Sequence, residues 1–237
     1  LNKKQLISKA LSFHSQGKIK VAEKYYKIII DKGFKDPVVF SNLGAIYKQK
    51  GQNDLAIDFY NKSIQISPRN EIAYTNLGGI LREIGKPEEA ELMQRKAIKI
   101  KPDFAEAHSN LGNILSDLGR LEEAEKSMRK AIQIKPDFAM AYYNLGNILS
   151  DQNKPKEAES SIRKAIKLRP NYAEAYCNLG YILQELGELE EAYLSYEKAI
   201  NINKNIELAF SGIGTVLMKQ GKHHDGLKTL REVNGAI

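Results

Sequence analysis

The sequence predicts an all-α solenoid of stacked helical hairpins, and three observations carry that expectation. A short block, Asn-Leu-Gly, returns at residues 42–44, 76–78, 110–112, 144–146 and 178–180, each time 34 residues on. Around each block apolar residues recur at i, i+3, i+4 and i+7 in two stripes, the period of a helix rather than a strand. One glycine or asparagine separates the two stripes: Gly51, Gly85, Gly119, Asn153, Gly187 and Gly221. Each unit therefore folds back on itself. Its apolar faces can be covered only by neighbouring units, so the hairpins must stack.

The elements follow in order. Counting each unit from 7 residues before its block glycine gives repeats at 37–70, 71–104, 105–138, 139–172 and 173–206, with an incomplete one at 207–237. A degenerate repeat at 3–36 precedes them, with Ala10, Gly17, Ala22 and Tyr26 in phase, so 1–237 reads as a single array. In 105–138 the first stripe is Leu111, Ile114, Leu115 and Leu118, and the second is Leu121, Ala124, Met128, Ala131 and Ile132. Gly44, Gly78, Gly112, Gly146, Gly180 and Gly214 hold repeat position 8. Glycine inside a helix costs about 0.5–1 kcal/mol against alanine, so its recurrence asks for a close helix approach. Pro68, Pro102, Pro136 and Pro170 at position 32 stop the second helices, with Lys204 in their place in the sixth unit. Asp103 with Glu106, and Asn171 with Glu174, have the spacing of capping boxes for the next helices.

The bulk numbers suit this reading. The chain of 237 residues is 42% hydrophobic and 27% charged, so it has the means to bury a core. The net charge of +7 is concentrated at one end: residues 1–36 hold nine lysines against three acids, whereas 173–206 hold two lysines against six glutamates. A basic head on a mixed rod is not a continuous phosphate-tracking stripe, so nucleic acid is not an expected partner. No apolar run reaches the roughly 18–20 residues that cross a bilayer, and no membrane partner is expected. Cys177 is the only cysteine, which excludes an internal disulfide and a cysteine metal cluster and fits a reducing, cytoplasmic setting.

With these positions laid out, the chain resembles the tetratricopeptide repeat (TPR) family over about residues 3–237. An aromatic at position 4 (Phe40, Tyr74, Tyr142, Tyr176 and Phe210, with His108 the exception) precedes Leu-Gly at 7–8. Leucine or tyrosine follows at 11, then a small residue at 20 and 27, and proline at 32. The resemblance implies a right-handed superhelix whose inner surface is lined by each unit's first helix, and a peptide- or protein-binding role.

Leucine and glycine of the repeated block are explained by packing; the asparagine is not. Position 6 reads Asn42, Asn76, Asn110, Asn144 and Asn178, and positions 2, 5, 6, 9 and 13 share the face opposite the core stripe. Asparagine is a mediocre helix former, and an indifferent surface would hold Glu, Lys or Gln. Its amide offers an acceptor and a donor, which suits an extended peptide backbone. The competing readings are a bond to a neighbouring helix, or recent duplication of similar units. The resemblance adds to the peptide-binding reading: the series is similar to the asparagine ladder in the repeat arm of O-GlcNAc transferases and in kinesin light chains, where it holds client main chain. Asn113 and Asn147 at position 9, with Tyr143 and Tyr181, complete the candidate peptide-binding surface, with Met140 beside them. Positions 2, 5, 6 and 9 carry no Lys or Arg from residue 37 on, so a clamp for a C-terminal carboxylate is not expected.

Nothing suggests catalysis by this chain, a metal site or a cofactor. His14, His108, His223 and His224 lack ligand spacing, and the Gly-Ile-Gly at 212–214 sits within a helix rather than after a strand. The array breaks off inside its last hairpin, where Leu217, Leu227, Leu230 and Val233 form an apolar edge. That suggests a longer protein and end-to-end self-association through the incomplete repeat. Two functions stay open. One is a module that binds an extended protein segment of unknown identity. The other is the recruiting or oligomerising arm of a glycosyltransferase, oxygenase or sulfotransferase.

Overall fold

The computed structural model describes residues 1–234, with side-chain surroundings as far as Arg231. The chain forms two compact units, Leu1–Leu118 and Gly119–Ile237, and among the described residues all regular structure is helical. In the first unit α1 (Lys3–Ser15) pairs with α2 (Ile19–Asp31), and α3 (Pro37–Gln49) with α4 (Asn53–Ile66). Then α5 (Glu71–Glu83) pairs with α6 (Pro87–Ile100), and α7 (Ala105–Asp117) packs against both. In the second unit α8 (Leu121–Ile134) packs on α9 (Ala139–Asp151), which pairs with α10 (Pro155–Leu168). Two more hairpins follow, α11 (Ala173–Leu186) with α12 (Leu189–Ile202) and α13 (Glu207–Lys219) with α14 (His223–Asn234).

Packing accounts for the glycine at position 8. The side chain at position 24, on the second helix of the same hairpin, lies directly over it. A Cβ on Gly44 would stand 2.9 Å from the Tyr60 ring, on Gly146 2.5 Å from Ile162, and on Gly180 2.8 Å from the Tyr196 ring. Alanines at position 20 (Ala56, Ala90, Ala124, Ala158, Ala192) are fully buried beside these contacts. Leu6, Tyr26, Ile29, Leu43, Ile46, Tyr60 and Ile80 run into one core in the first unit. Leu149, Ile162, Ile182, Leu183, Tyr196 and Val216 are buried in the second. Each such aliphatic side chain contributes about 1.5–3 kcal/mol by leaving water.

The turns adopt the conformation their residues suggest. Gly187 ends α11 in the left-handed region at φ 82°, and Asn153, at φ 59°, takes the same conformation where the other turns have glycine. Proline follows the ends of α4, α6, α8 and α10 by two residues, but α12 stops at the equivalent Ile202 with Lys204 there instead. The stop therefore comes from the turn and not from proline alone.

Three sequence expectations need correction. The capping boxes of Asp103 with Glu106 and of Asn171 with Glu174 are not formed: the N-caps are Phe104 and Tyr172, neither with a side-chain cap bond. A turn delays each helix by one residue, and the aromatic ring in the cap position lies beside the preceding cation, Lys101 at 5.1 Å and Arg169 at 4.6 Å. Side-chain caps come instead from Asn2, Asp36 and Asn70. Position 5, expected on the open face, is interior in four repeats, where Ser41, Thr75, Ser109 and Cys177 are buried; Tyr143 at the same position is half-buried. At position 4 Phe40 is buried, whereas Tyr74, Tyr142, Tyr176 and Phe210 are half-buried. Of the apolar edge at the last hairpin, Leu217 and Leu230 are half-buried and Leu227 is 45% exposed; Val233 lies outside the described side chains.

Candidate functional site

In the first unit α3, α5 and α7 carry Asn42, Asn76, Asn110 and Asn113, all half-buried. They are not equivalent. Asn42 Nδ2 donates to the hydroxyl of Tyr26 at 3.0 Å, and that fully buried tyrosine also stands 3.0 Å from His14 Nδ1. One repeat later Asn76 lies beside the Tyr60 hydroxyl. Burial pushes the Tyr60 hydroxyl up to about 12, and the Asn76 contact works against that rise. Both tyrosines occupy position 24. At that position the next unit has Gln94, fully buried, whose Nε2 donates to the Thr75 carbonyl at 2.9 Å. Among the described residues Asn110 and Asn113 make no side-chain hydrogen bond.

Asn76 and Asn110 open onto one recess of about 170 Å³, with Thr75, Gly79, Arg82 and Glu83 among its other walls. The buried Thr75 hydroxyl has no hydrogen-bond partner among the described residues. Gly79 has no atom within 4 Å of where its Cβ would lie, so this side of the recess is open. Charges rim it: Lys48 pairs with Glu83 at 2.8 Å, and Arg82 bridges to both Asp117 oxygens, one at 3.1 Å. The sequence reading missed these residues. Their signal was charge complementarity between position 12 of one repeat and position 13 of the next. The two cations are neutralised by their own neighbours, an arrangement unlike a carboxylate clamp.

In the second unit α9 carries Tyr143, Asn144 and Asn147, and α11 carries Asn178 and Tyr181. Asn178 Nδ2 donates to Asn147 Oδ1 at 2.8 Å and to the Tyr143 hydroxyl at 3.1 Å, linking the two first helices across their open face. Tyr143 leans on Tyr172 with ring centroids 4.9 Å apart. Asn144 makes no side-chain hydrogen bond among the described residues. Tyr181 is 52% exposed and Met140 49% exposed, leaving two large adaptable side chains in water. Cys177 beside them is buried, and that burial pushes its thiol up to about 11, away from nucleophilic chemistry. The described residues contain no group of three His, Cys, Asp or Glu placed to hold a metal, and no helix long and apolar enough to cross a membrane.

Profiles of the tetratricopeptide repeat match residues 37–103, 94–126, 139–172 and 173–206, and a further TPR profile matches 112–153. The chain belongs to the tetratricopeptide-repeat family. Curated protein sequences include no significant match to it. Among solved structures this TPR chain is similar to MamA, at 27% identity and TM-score 0.61, over 68% of this chain and 94% of that one. It also resembles PilF of Pseudomonas aeruginosa, at 20% identity and TM-score 0.76, over 85% and 93%. YrrB, described as a TPR protein with an unusual peptide-binding site, aligns at 22% identity and TM-score 0.60, over 78% and 95%. The last two likenesses establish the fold.

Proposed function

We propose that this TPR chain is a protein-interaction module that holds an extended segment of another protein against its first helices, through asparagine amides. The carrying observation is the recess in the first unit, where the Asn110 amide opens on a space walled also by Asn76 and the side-chain-free Gly79. A peptide main chain presents a donor and an acceptor at every residue, and an asparagine amide matches both with one side chain. In the second unit Asn144 offers the same amide, and Tyr181 and Met140 supply apolar surface for a client side chain. The peptide-binding site for which the YrrB structure is described is consistent with this use of the fold.

The test is affinity capture from a cell extract with wild type and with Asn110→Ala/Asn144→Ala. Those two amides make no internal side-chain hydrogen bond among the described residues. The variant is expected to retain its helicity and melting temperature while losing its captured proteins. An unchanged set of captured proteins would count against the amides as the binding groups.

A further inference from the structure

The asparagines at position 6 differ in what they touch, and the difference tracks one core residue. Where position 24 of the preceding repeat is tyrosine, its hydroxyl reaches the next first helix: Tyr26 accepts from the Asn42 amide at 3.0 Å, and the Tyr60 hydroxyl lies beside Asn76. Where it is Gln94, the amide is turned to the Thr75 carbonyl at 2.9 Å, and its Oε1 is left buried without a partner among the described residues. Where it is Ile162, which has no polar atom to offer, Asn178 bonds instead to Asn147 and Tyr143 on the open face. The Tyr196 ring advances so far that a Cβ on Gly212, at position 6 of the following repeat, would stand 2.3 Å from it. An asparagine there would force the Tyr196 ring to shift.

We infer that the side chain at position 24 is the selector of the binding surface. A tyrosine hydroxyl ties the following asparagine to the core, and a side chain without a hydroxyl there leaves the amide on the open face, where a ligand can take it at Asn110 and the neighbouring Asn147 takes it at Asn178. Tyr26 thereby withdraws Asn42 from the available amides. The inference rests on the reading of the asparagines as groups for peptide main chain, which it makes specific. It also predicts that the surface can be rewritten from the core. Ile162→Tyr would move Asn178 from Asn147 to the new hydroxyl, because Gly146 beneath that position leaves room for a ring, as Gly44 and Gly180 do under Tyr60 and Tyr196.

Nuclear magnetic resonance of the asparagine side-chain amides tests this in wild type, Tyr26→Phe and Ile162→Tyr, with and without the uncharged blocked peptide acetyl-(Gly-Ser)5-amide. In Tyr26→Phe, which keeps the ring, solvent exchange of the Asn42 amide should rise roughly two- to tenfold, the range of one net hydrogen bond. The peptide should shift Asn110 and Asn144 in wild type, and Asn42 only after release. In Ile162→Tyr the Asn178 amide should exchange more slowly and stop responding to Asn147→Ala. Unchanged exchange of Asn42 in Tyr26→Phe, or an Asn42 response to peptide in wild type equal to that of Asn110, would overturn the selector while the groove reading stood. Silence of every asparagine toward the peptide, in wild type and with Asn42 demonstrably released, would overturn the groove reading and with it the selector's role in binding.

Discussion

At the scale of single residues, position 24 acts on two neighbours at once, lying over a glycine of its own hairpin and reaching an asparagine of the next. The first contact makes a sharp prediction. Gly180→Ala gains about 1 kcal/mol of helix propensity but puts a Cβ 2.8 Å from the rigid Tyr196 ring. Overpacking of that kind costs about 1–3 kcal/mol, so it wins, and chemical denaturation should show a net loss of stability. The second contact was only half legible in the sequence. Which face the asparagines occupy follows from helical spacing, but their partner does not. Tyr26 and Asn42 are 16 residues apart, and a reading that sorts residues into core and surface stripes has no term for a core hydroxyl reaching a surface amide. The same sorting put position 5 in the groove. Ser41 lies instead in a buried cluster with the Ser63 hydroxyl at 2.8 Å and the Asn70 amide at 3.1 Å, where a small polar residue is satisfied without water.

At the scale of helices and turns, the 34-residue period made the fold legible because each unit independently repeats the same stripes, turn and small residues. The helix starts were less legible. A turn at the end of each second helix moves the cap to Phe104 or Tyr172, and a shift of one residue dissolves a capping box. Asn153 carries the cost of a left-handed backbone at φ 59°, so Asn153→Gly should raise the unfolding free energy by up to about 1 kcal/mol. A melting temperature below that of wild type would refute this. Between hairpins, Glu23 on α2 is buried and accepts from Lys50 at 2.6 Å, with Lys27 at 3.0 Å. The Lys50 hydrogen bond, ahead of the other contacts, holds the Glu23 carboxyl below its ordinary value against the opposing effect of burial. A carboxyl lowered on folding stabilises the protein above its unfolded pKa of about 4.3, and that contribution is lost as pH falls through the folded value. Glu23→Gln should therefore lower the melting temperature at pH 7 and lose less on acidification below about pH 4 than wild type does.

At the scale of the whole molecule, a repeat protein separates what holds it together from what it can offer. The glycine, alanine and leucine positions recur because every hairpin must be covered by its neighbour, and they leave little freedom for function. The asparagines recur too, yet the structure divides them into those bonded inside the protein, Asn42 and Asn178, with Asn76 beside the Tyr60 hydroxyl, and those whose amides make no internal bond among the described residues, Asn110, Asn113 and Asn144. The second set is where a functional role predicts loss of binding without loss of stability. Once a captured client has been reduced to a minimal peptide, its titration by calorimetry into wild type and Asn110→Ala measures this directly, with melting temperatures taken on the same samples. The expected result is affinity at least about fivefold weaker, the effect of one lost hydrogen bond of about 1 kcal/mol, at an unchanged melting temperature. Equal affinity, or a fall in melting temperature that accompanies the loss of binding, would contradict it.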